Sequence, residues 1–84
     1  MVKVIKRNGR KEDFIYEKVV VSCIKSGAPV DVARDIAKRI EKKVHDNTTT
    51  KEIAKLVLAA LRENDAELAK NWLTYDRAIK KRKD

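Results

Sequence analysis

The chain predicts an α+β fold in which an N-terminal two-stranded β-hairpin packs on a four-helix bundle, in the order ββαααα. Three observations carry that reading. Asn8-Gly9 lies between short stretches bearing Val2 and Val4 on one side and Phe14 and Ile15 on the other. This dipeptide tolerates the positive φ of a two-residue type I′ hairpin turn. Behind it come four segments whose apolar residues recur three and four positions apart, the period of an amphipathic helix. Turn and capping residues separate these segments around Gly27 and Pro29, across Asp46 to Thr50, and at Asn64-Asp65.

In the hairpin, Lys6 and Arg7 end the first strand, and Arg10 and Lys11 begin the second. The first helix is expected from Tyr16 to Ser26 with Val19, Val20, Cys23 and Ile24 inward. Gly27 is its left-handed C-cap, and Pro29 blocks continuation. The second helix is expected from Asp31, its candidate N-cap, to His45. Ala33, Ile36, Ala37, Ile40 and Val44 face inward, while Arg34, Lys38, Arg39, Lys42 and Lys43 occupy other faces. Asp46 to Thr50 reads as a loop, and Thr49 with Glu52 is a capping-box signature for a third helix carrying Ile53, Leu56, Val57, Ala60 and Leu61. Asp65 caps a fourth helix with Leu68, Ala69, Trp72, Leu73 and Ile79, which enters the basic run Lys80 to Lys83. A lone hairpin is marginal in water, so it must pack on the helices, and the ligand pocket is expected between the two.

Eighty-four residues make one domain, 1–84, with a short basic tail at 80–84. The composition is 43% apolar and 40% charged, and the apolar residues are periodic, so a folded chain is expected. Cys23 has no partner for an internal disulfide, which fits a reducing, cytoplasmic setting. No apolar stretch approaches the roughly 20 residues that span a bilayer, so no membrane association is expected. The net charge of +8 favours an anionic partner, whether nucleotide, nucleic acid or acidic protein surface.

Catalysis is not expected. His45 and Cys23 are each the sole residue of their type, so neither a structural metal site nor a nucleophilic dyad can be assembled. His45 reads instead as a helix C-terminal residue complementing the dipole. No Gly-rich phosphate loop followed by Lys-Ser or Lys-Thr is present. Lys6, Arg7 and Lys18 place cations where hairpin meets helix, beside a ledge of Val4, Phe14 and Ile15. Such a site suits a ligand with a flat apolar end and a polyanionic end, and a nucleotide has both. The plainer reading makes these cations ordinary solvated charges, since 21 of the 84 residues are Lys or Arg.

The order Val4-Ile-Lys-Arg-Asn-Gly9, Glu12-Asp-Phe14, Lys18, Thr50-Lys-Glu-Ile53 and Trp72-Leu-Thr-Tyr75 resembles an ATP-cone over about residues 2–79. ATP-cones are small nucleotide-binding regulatory domains of ribonucleotide reductases and of their transcriptional repressor. The resemblance implies that Lys6, Arg7 and Lys18 hold the triphosphate of ATP or dATP, with Mg2+ as an optional companion. It implies that the base lies against Val4, Phe14, Val19 and Ile53, with Glu12 and Thr50 near sugar and phosphates. The resemblance also implies a phosphate contact from a basic residue near the end of the last helix, for which Lys80 and Lys81 are the two candidates. On the residues alone, Thr50 could equally be a helix-capping residue and Glu12 a cross-strand partner of a first-strand cation. Asn8 replaces the Asp usual in the family, which serves the turn equally and removes one negative charge.

Family cones are usually attached to a reductase catalytic barrel, a kinase-like domain or a zinc-binding DNA reader. If these residues are the whole protein, regulation is expected to act through self-assembly or an unidentified protein partner. If they are a fragment, the output domain lies elsewhere in the chain. Two other functions compete: a small basic nucleic-acid-binding protein, such as a transcriptional regulator, and an assembly factor that has lost its ligand.

Overall fold

The structure, a computed structural model, describes residues 2–83, and the side chains of residues 2–75. Its elements are β1 (Lys3–Ile5), β2 (Lys11–Asp13), α1 (Tyr16–Lys25), α2 (Val30–Lys43), β3 (Thr48–Thr49), α3 (Thr50–Asn64) and α4 (Ala66–Lys83). The expected hairpin and four helices are present, in the expected order. A third, two-residue strand is added, and the sheet order is β2-β1-β3.

The hairpin is antiparallel, with Lys3, Val4 and Ile5 opposite Asp13, Glu12 and Lys11. Its turn differs from the two-residue type I′ expectation. Lys6 N–H donates to the Arg10 carbonyl at 2.8 Å and Gly9 N–H to the Lys6 carbonyl at 2.9 Å, which leaves a three-residue loop. Only Gly9, at φ 86°, takes the left-handed conformation there; Asn8 does not. Asn8 instead accepts the Arg10 N–H on its side-chain oxygen at 3.0 Å. Asn-Gly supports this bulged turn as readily as the tighter one.

The stretch expected to be a loop before α3 contains β3, which pairs parallel to β1 with Val4 opposite Thr48 and Ile5 opposite Thr49. Two further bonds fasten it: Asn47 N–H donates to the Lys3 carbonyl, and Lys3 N–H to Asp46 Oδ1, both at 2.9 Å. Asn47 reaches this geometry at φ 73°, a conformation Asn tolerates better than most residues.

α1 ends in a Schellman motif. Ala28 N–H donates to the Cys23 carbonyl and Gly27 N–H to the Ile24 carbonyl, with Gly27 at φ 108° as the sequence required. Along α1, Val19, Val20 and Cys23 are buried, but Ile24, expected inward, is 40% exposed, because the buried face follows the 19-20-23 stripe. Ile15, placed on the apolar ledge by its hydrophobicity, is likewise exposed and is the N-cap of α1. α2 starts one residue earlier than expected, after Pro29 as N-cap, so Asp31 lies in the first turn and makes no cap. It ends at Lys43, with Val44 already extended. His45 therefore lies beyond the helix, where its N–H donates to Thr48 Oγ1 at 3.1 Å.

The Thr49–Glu52 capping box of α3 is complete. Glu52 N–H donates to Thr49 Oγ1 at 3.1 Å, and Thr49 N–H donates to Glu52 Oε1 at 3.0 Å. These bonds to Thr49 hold the Glu52 carboxyl below its ordinary range. Asp65 closes α3 and opens α4, accepting the Glu67 N–H on Oδ1 at 2.9 Å. The core runs through the ring of helices, with Val20, Cys23, Ile36, Ile40 and Leu61 at its centre and Val4 closing it from the sheet. Among the described residues no helix is long and apolar enough to cross a membrane. The side chains of Ile79, Lys80 and Lys81, named from the sequence, lie outside the described residues.

Candidate functional site

Each helix packs on its neighbours in a ring: α1 on α2 and α4, and α3 on α2 and α4. α1 and α3 face each other across it without close backbone packing, and a cavity of about 410 Å³ opens between them. α1 contributes Lys18, Val19 and Ser22, and α3 contributes Thr50, Lys51, Ile53, Ala54 and Val57. Arg7 comes from the hairpin turn and Trp72 from α4. The spacing 18-19-22 selects one face of α1, and 50-53-54-57 selects one face of α3.

The cavity is polar at one end and apolar at the other. Arg7 lies two residues beyond Ile5, and Ile5 pairs with Thr49, the residue before Thr50. Arg7, Thr50 and Lys51 therefore share one end. Val57 lies two helical turns further along α3, about 10 Å away. With Ile53, Ala54 and the Trp72 ring it makes an apolar wall. A volume of this order lies in the range of small-molecule sites.

The cations have a second peculiarity. A helix N-terminus carries partial positive charge, so a lysine in the first turn is unfavourable there. Among the helices, α2 and α4 open with an acid and no base in the first turn, Asp31 and Glu67 respectively. α1 and α3 also place lysines there, Lys18 and Lys51, and both line the cavity. Two helix dipoles and three side-chain cations thus add positive potential at one end of one cavity.

Of the residues implied by the resemblance, Arg7, Lys18, Val19, Thr50 and Ile53 meet at the cavity. Val4, Lys6, Glu12 and Phe14 are not among those lining it. Val4 is core, at 3% exposure, and its register partner is Glu12. Lys6 Nζ lies 4.0 Å from Glu12 Oε1, a loose pairing of the kind the cross-strand reading of Glu12 expects. Phe14 is half-buried against the core, and its N–H donates to the Val2 carbonyl at 2.9 Å. Thr48 and Thr49 make the turn and cap bonds, so Thr50 is not the capping threonine.

Sequence reasoning did not place Ser22, Lys51, Ala54 or Val57 at the site, and it used Trp72 as part of the aromatic stretch that carries the resemblance rather than as a site residue. Ser22 lies four residues after Lys18, and Ala54 and Val57 lie four and seven after Thr50, so helical spacing alone extends the expected set to them. Lys51 was signalled by its conflict with the α3 dipole. The packing of α4 is what brings Trp72 to the cavity. The Ser22 hydroxyl donates to the Val19 carbonyl at 2.9 Å. The Trp72 indole N–H is buried and has no acceptor within the protein among the described residues. An unpaired buried donor of this kind costs about 1–3 kcal/mol.

Cys23 lies outside the cavity, fully buried, and desolvation pushes its thiol up to about 11. Among the described residues no group of three His, Cys, Asp or Glu side chains could hold a metal ion.

The family model for the ATP cone domain matches residues 2–81. The chain belongs to the ATP cone family. It is also 36% identical over 42 residues to an uncharacterized protein of Archaeoglobus fulgidus, a stretch covering 50% of this chain and 89% of that one. As an ATP cone, it is by family a nucleotide-binding regulatory module whose family ligands are ATP and dATP. The residues present fit such a ligand. Three cations and a helix N-terminus stand at one end for phosphates, and an apolar wall with one aromatic ring stands at the other for a base.

Proposed function

We propose that the cavity between α1 and α3 binds ATP or dATP, with the triphosphate toward Arg7, Lys18, Thr50 and Lys51 and the base toward Ile53, Ala54, Val57 and Trp72. The observation that carries this reading is the convergence of both first-turn lysines and Arg7 on the polar end of one cavity. Cations at that end would balance the phosphates, and the apolar end would exclude water from the base. Mg2+ would arrive on the phosphates, since it keeps several of its own waters and needs no protein carboxylate cluster. Val19, from α1, closes the pocket behind the sugar. The module binds its nucleotide without turning it over. A free buried thiol and a nucleotide ligand both suit a reducing, cytoplasmic setting.

Regulation acts by shifting an association equilibrium, with a second copy or with a protein partner. α1 carries Lys18, Val19 and Ser22 on its cavity face and leaves Val21 and Ile24 exposed, so a shift of α1 on binding would move an apolar surface. ATP and dATP differ at the 2′-hydroxyl, and they switch the module only if the two association states bind them with different free energies.

Calorimetry with ATP, dATP and GTP, paired with light scattering of the same samples, tests this directly. Saturable adenine-nucleotide binding with a change of mass in solution is the expected result. Absence of adenine-nucleotide binding at millimolar ligand overturns it.

A further inference from the structure

We propose that one face of α3 docks the phosphate backbone of a nucleic-acid duplex, through a track of cations formed by Lys51, Lys55 and Arg62 and continued onto the hairpin turn by Arg7. The track stands apart from the nucleotide reading, because Lys55 and Arg62 do not line the cavity.

On a helix, residues 51, 55 and 62 fall within about 40° of one another and run roughly 16 Å along the axis. All three are exposed, and among the described residues none of them is in an ion pair. Leu58 completes that face and is half-buried against the core. The acids of α3 are committed elsewhere. Glu52 closes the capping box with Thr49, and Glu63 Oε1 lies 3.5 Å from Arg39 Nη1 on α2. Arg7 lines the cavity together with Lys51, which carries the track past the N-terminus of α3. The same spacing on α2 gives Asp31, Asp35, Lys38 and Lys42, two acids against two cations. On α3 it gives three cations and no acid, so this face keeps its full positive charge.

The chemistry of the face selects the partner. Protein–protein interfaces are depleted of Lys, and a helix that lies on a membrane needs exposed apolar side chains. Among the described residues the exposed large hydrophobic side chains are Ile15, Val21, Ile24 and Val30, all of them off α3. Single-stranded nucleic acid is held by aromatic side chains on which its bases stack, and α3 has no aromatic residue. A row of cations with neither exposed apolar nor aromatic companions matches duplex phosphates, which are bound by charge without regard to sequence.

The test is fluorescence anisotropy of a short labelled DNA duplex titrated with the full chain at several salt concentrations. Three to four phosphate contacts predict a slope of about −3 for the logarithm of the association constant against that of salt. Lys55→Gln combined with Arg62→Gln removes two contacts, so the slope should shrink by about 2 and binding at low salt should weaken by roughly tenfold or more. Lys38→Gln combined with Lys42→Gln removes the same net charge from α2 and should weaken binding by less than about threefold. Thermal melts establish that both double variants are folded. Absence of duplex binding at low salt, equal losses in the two double variants, or polyglutamate binding as tightly as the duplex overturns the proposal. ATP affinity in the Lys55→Gln, Arg62→Gln protein should stay within about twofold of the unsubstituted value, and a loss as large as that for the duplex would overturn the separation of track from cavity.

Discussion

Lys51 offers the sharpest test of how the cavity holds phosphate, because its effects on affinity and on stability run in opposite directions. It lines the cavity from the first turn of α3, where its charge opposes the helix dipole. Truncation in Lys51→Ala removes a charge-assisted contact to phosphate; for an exposed side chain the low end of the range applies, about 1.5 kcal/mol, or roughly tenfold in Kd. The same change relieves the dipole conflict by about 0.3–1 kcal/mol and adds a better helix former, so Tm should rise by a few degrees. Lys6 is the control. Its Nζ is 4.0 Å from Glu12 Oε1 and it is not a lining residue, so Lys6→Ala should weaken ATP binding by less than about threefold. Calorimetric titration with ATP at two salt concentrations, with thermal melts of the ligand-free proteins, reads both quantities. Unchanged ATP affinity in Lys51→Ala, or an equal loss in Lys6→Ala, would refute the assignment of Lys51 to the phosphates.

Three further outcomes are expected from the geometry. Trp72 is the single tryptophan and lines the cavity, so ATP should change its emission saturably, with a Kd matching calorimetry; emission that ignores ATP places the ligand elsewhere. Glu52 is held below its ordinary value of 4.5 by its bonds to Thr49, so the stabilisation it gives is complete above that value and fades as pH falls through the lower folded one. Tm between pH 7 and 3 should therefore drop more steeply in the unsubstituted protein than in Glu52→Gln, and parallel curves would count against the box. Cys23 is buried with its thiol pushed up to about 11, so a thiol reagent at neutral pH should label it only through opening of the fold. Saturating ATP should then slow labelling, and immediate labelling of the native chain would contradict the core packing.

Most of the architecture is legible because the sequence punctuates it. Gly27 stands where a positive φ is needed, Thr49 and Glu52 form a complete box, and Asp65 caps the last helix. The features that local reading does not reach are set by distant pairing. β3 has two residues, too few for any alternation to show, and its partner strand lies more than forty residues earlier. The hairpin turn departs from expectation because Asn-Gly serves two turn geometries that differ in where the positive φ falls. The site divides in the same way. Arg7, Lys18, Val19, Thr50 and Ile53 belong to local motifs, whereas Ser22 and Trp72 acquire a role only when the helix ring leaves a gap between α1 and α3. Lys51 was readable in principle, as a local rule broken without local compensation, and such breaches concentrate at functional sites.

That breach also bears on how a bound nucleotide could act at a distance. Arg7, Lys18 and Lys51 place like charges around one cavity, and each lies in a turn or first helical turn rather than in the core. Their mutual repulsion and the two opposed dipoles favour holding α1 and α3 apart. Under the proposed nucleotide reading, a polyanion between them would reverse the sign of that interaction and draw the two helices together. α2 and α4 brace the ring from either side, and β1 ties the α3 N-terminus to the hairpin through Val4 and Ile5. The movement that reading expects is therefore a small approach of α1 toward α3, with the core unchanged. α1 leaves Val21 and Ile24 exposed, so that approach changes an apolar surface presented to other molecules. Coupling of this kind is reciprocal: a partner that prefers the closed arrangement must tighten ATP binding by the same factor that ATP tightens the partner.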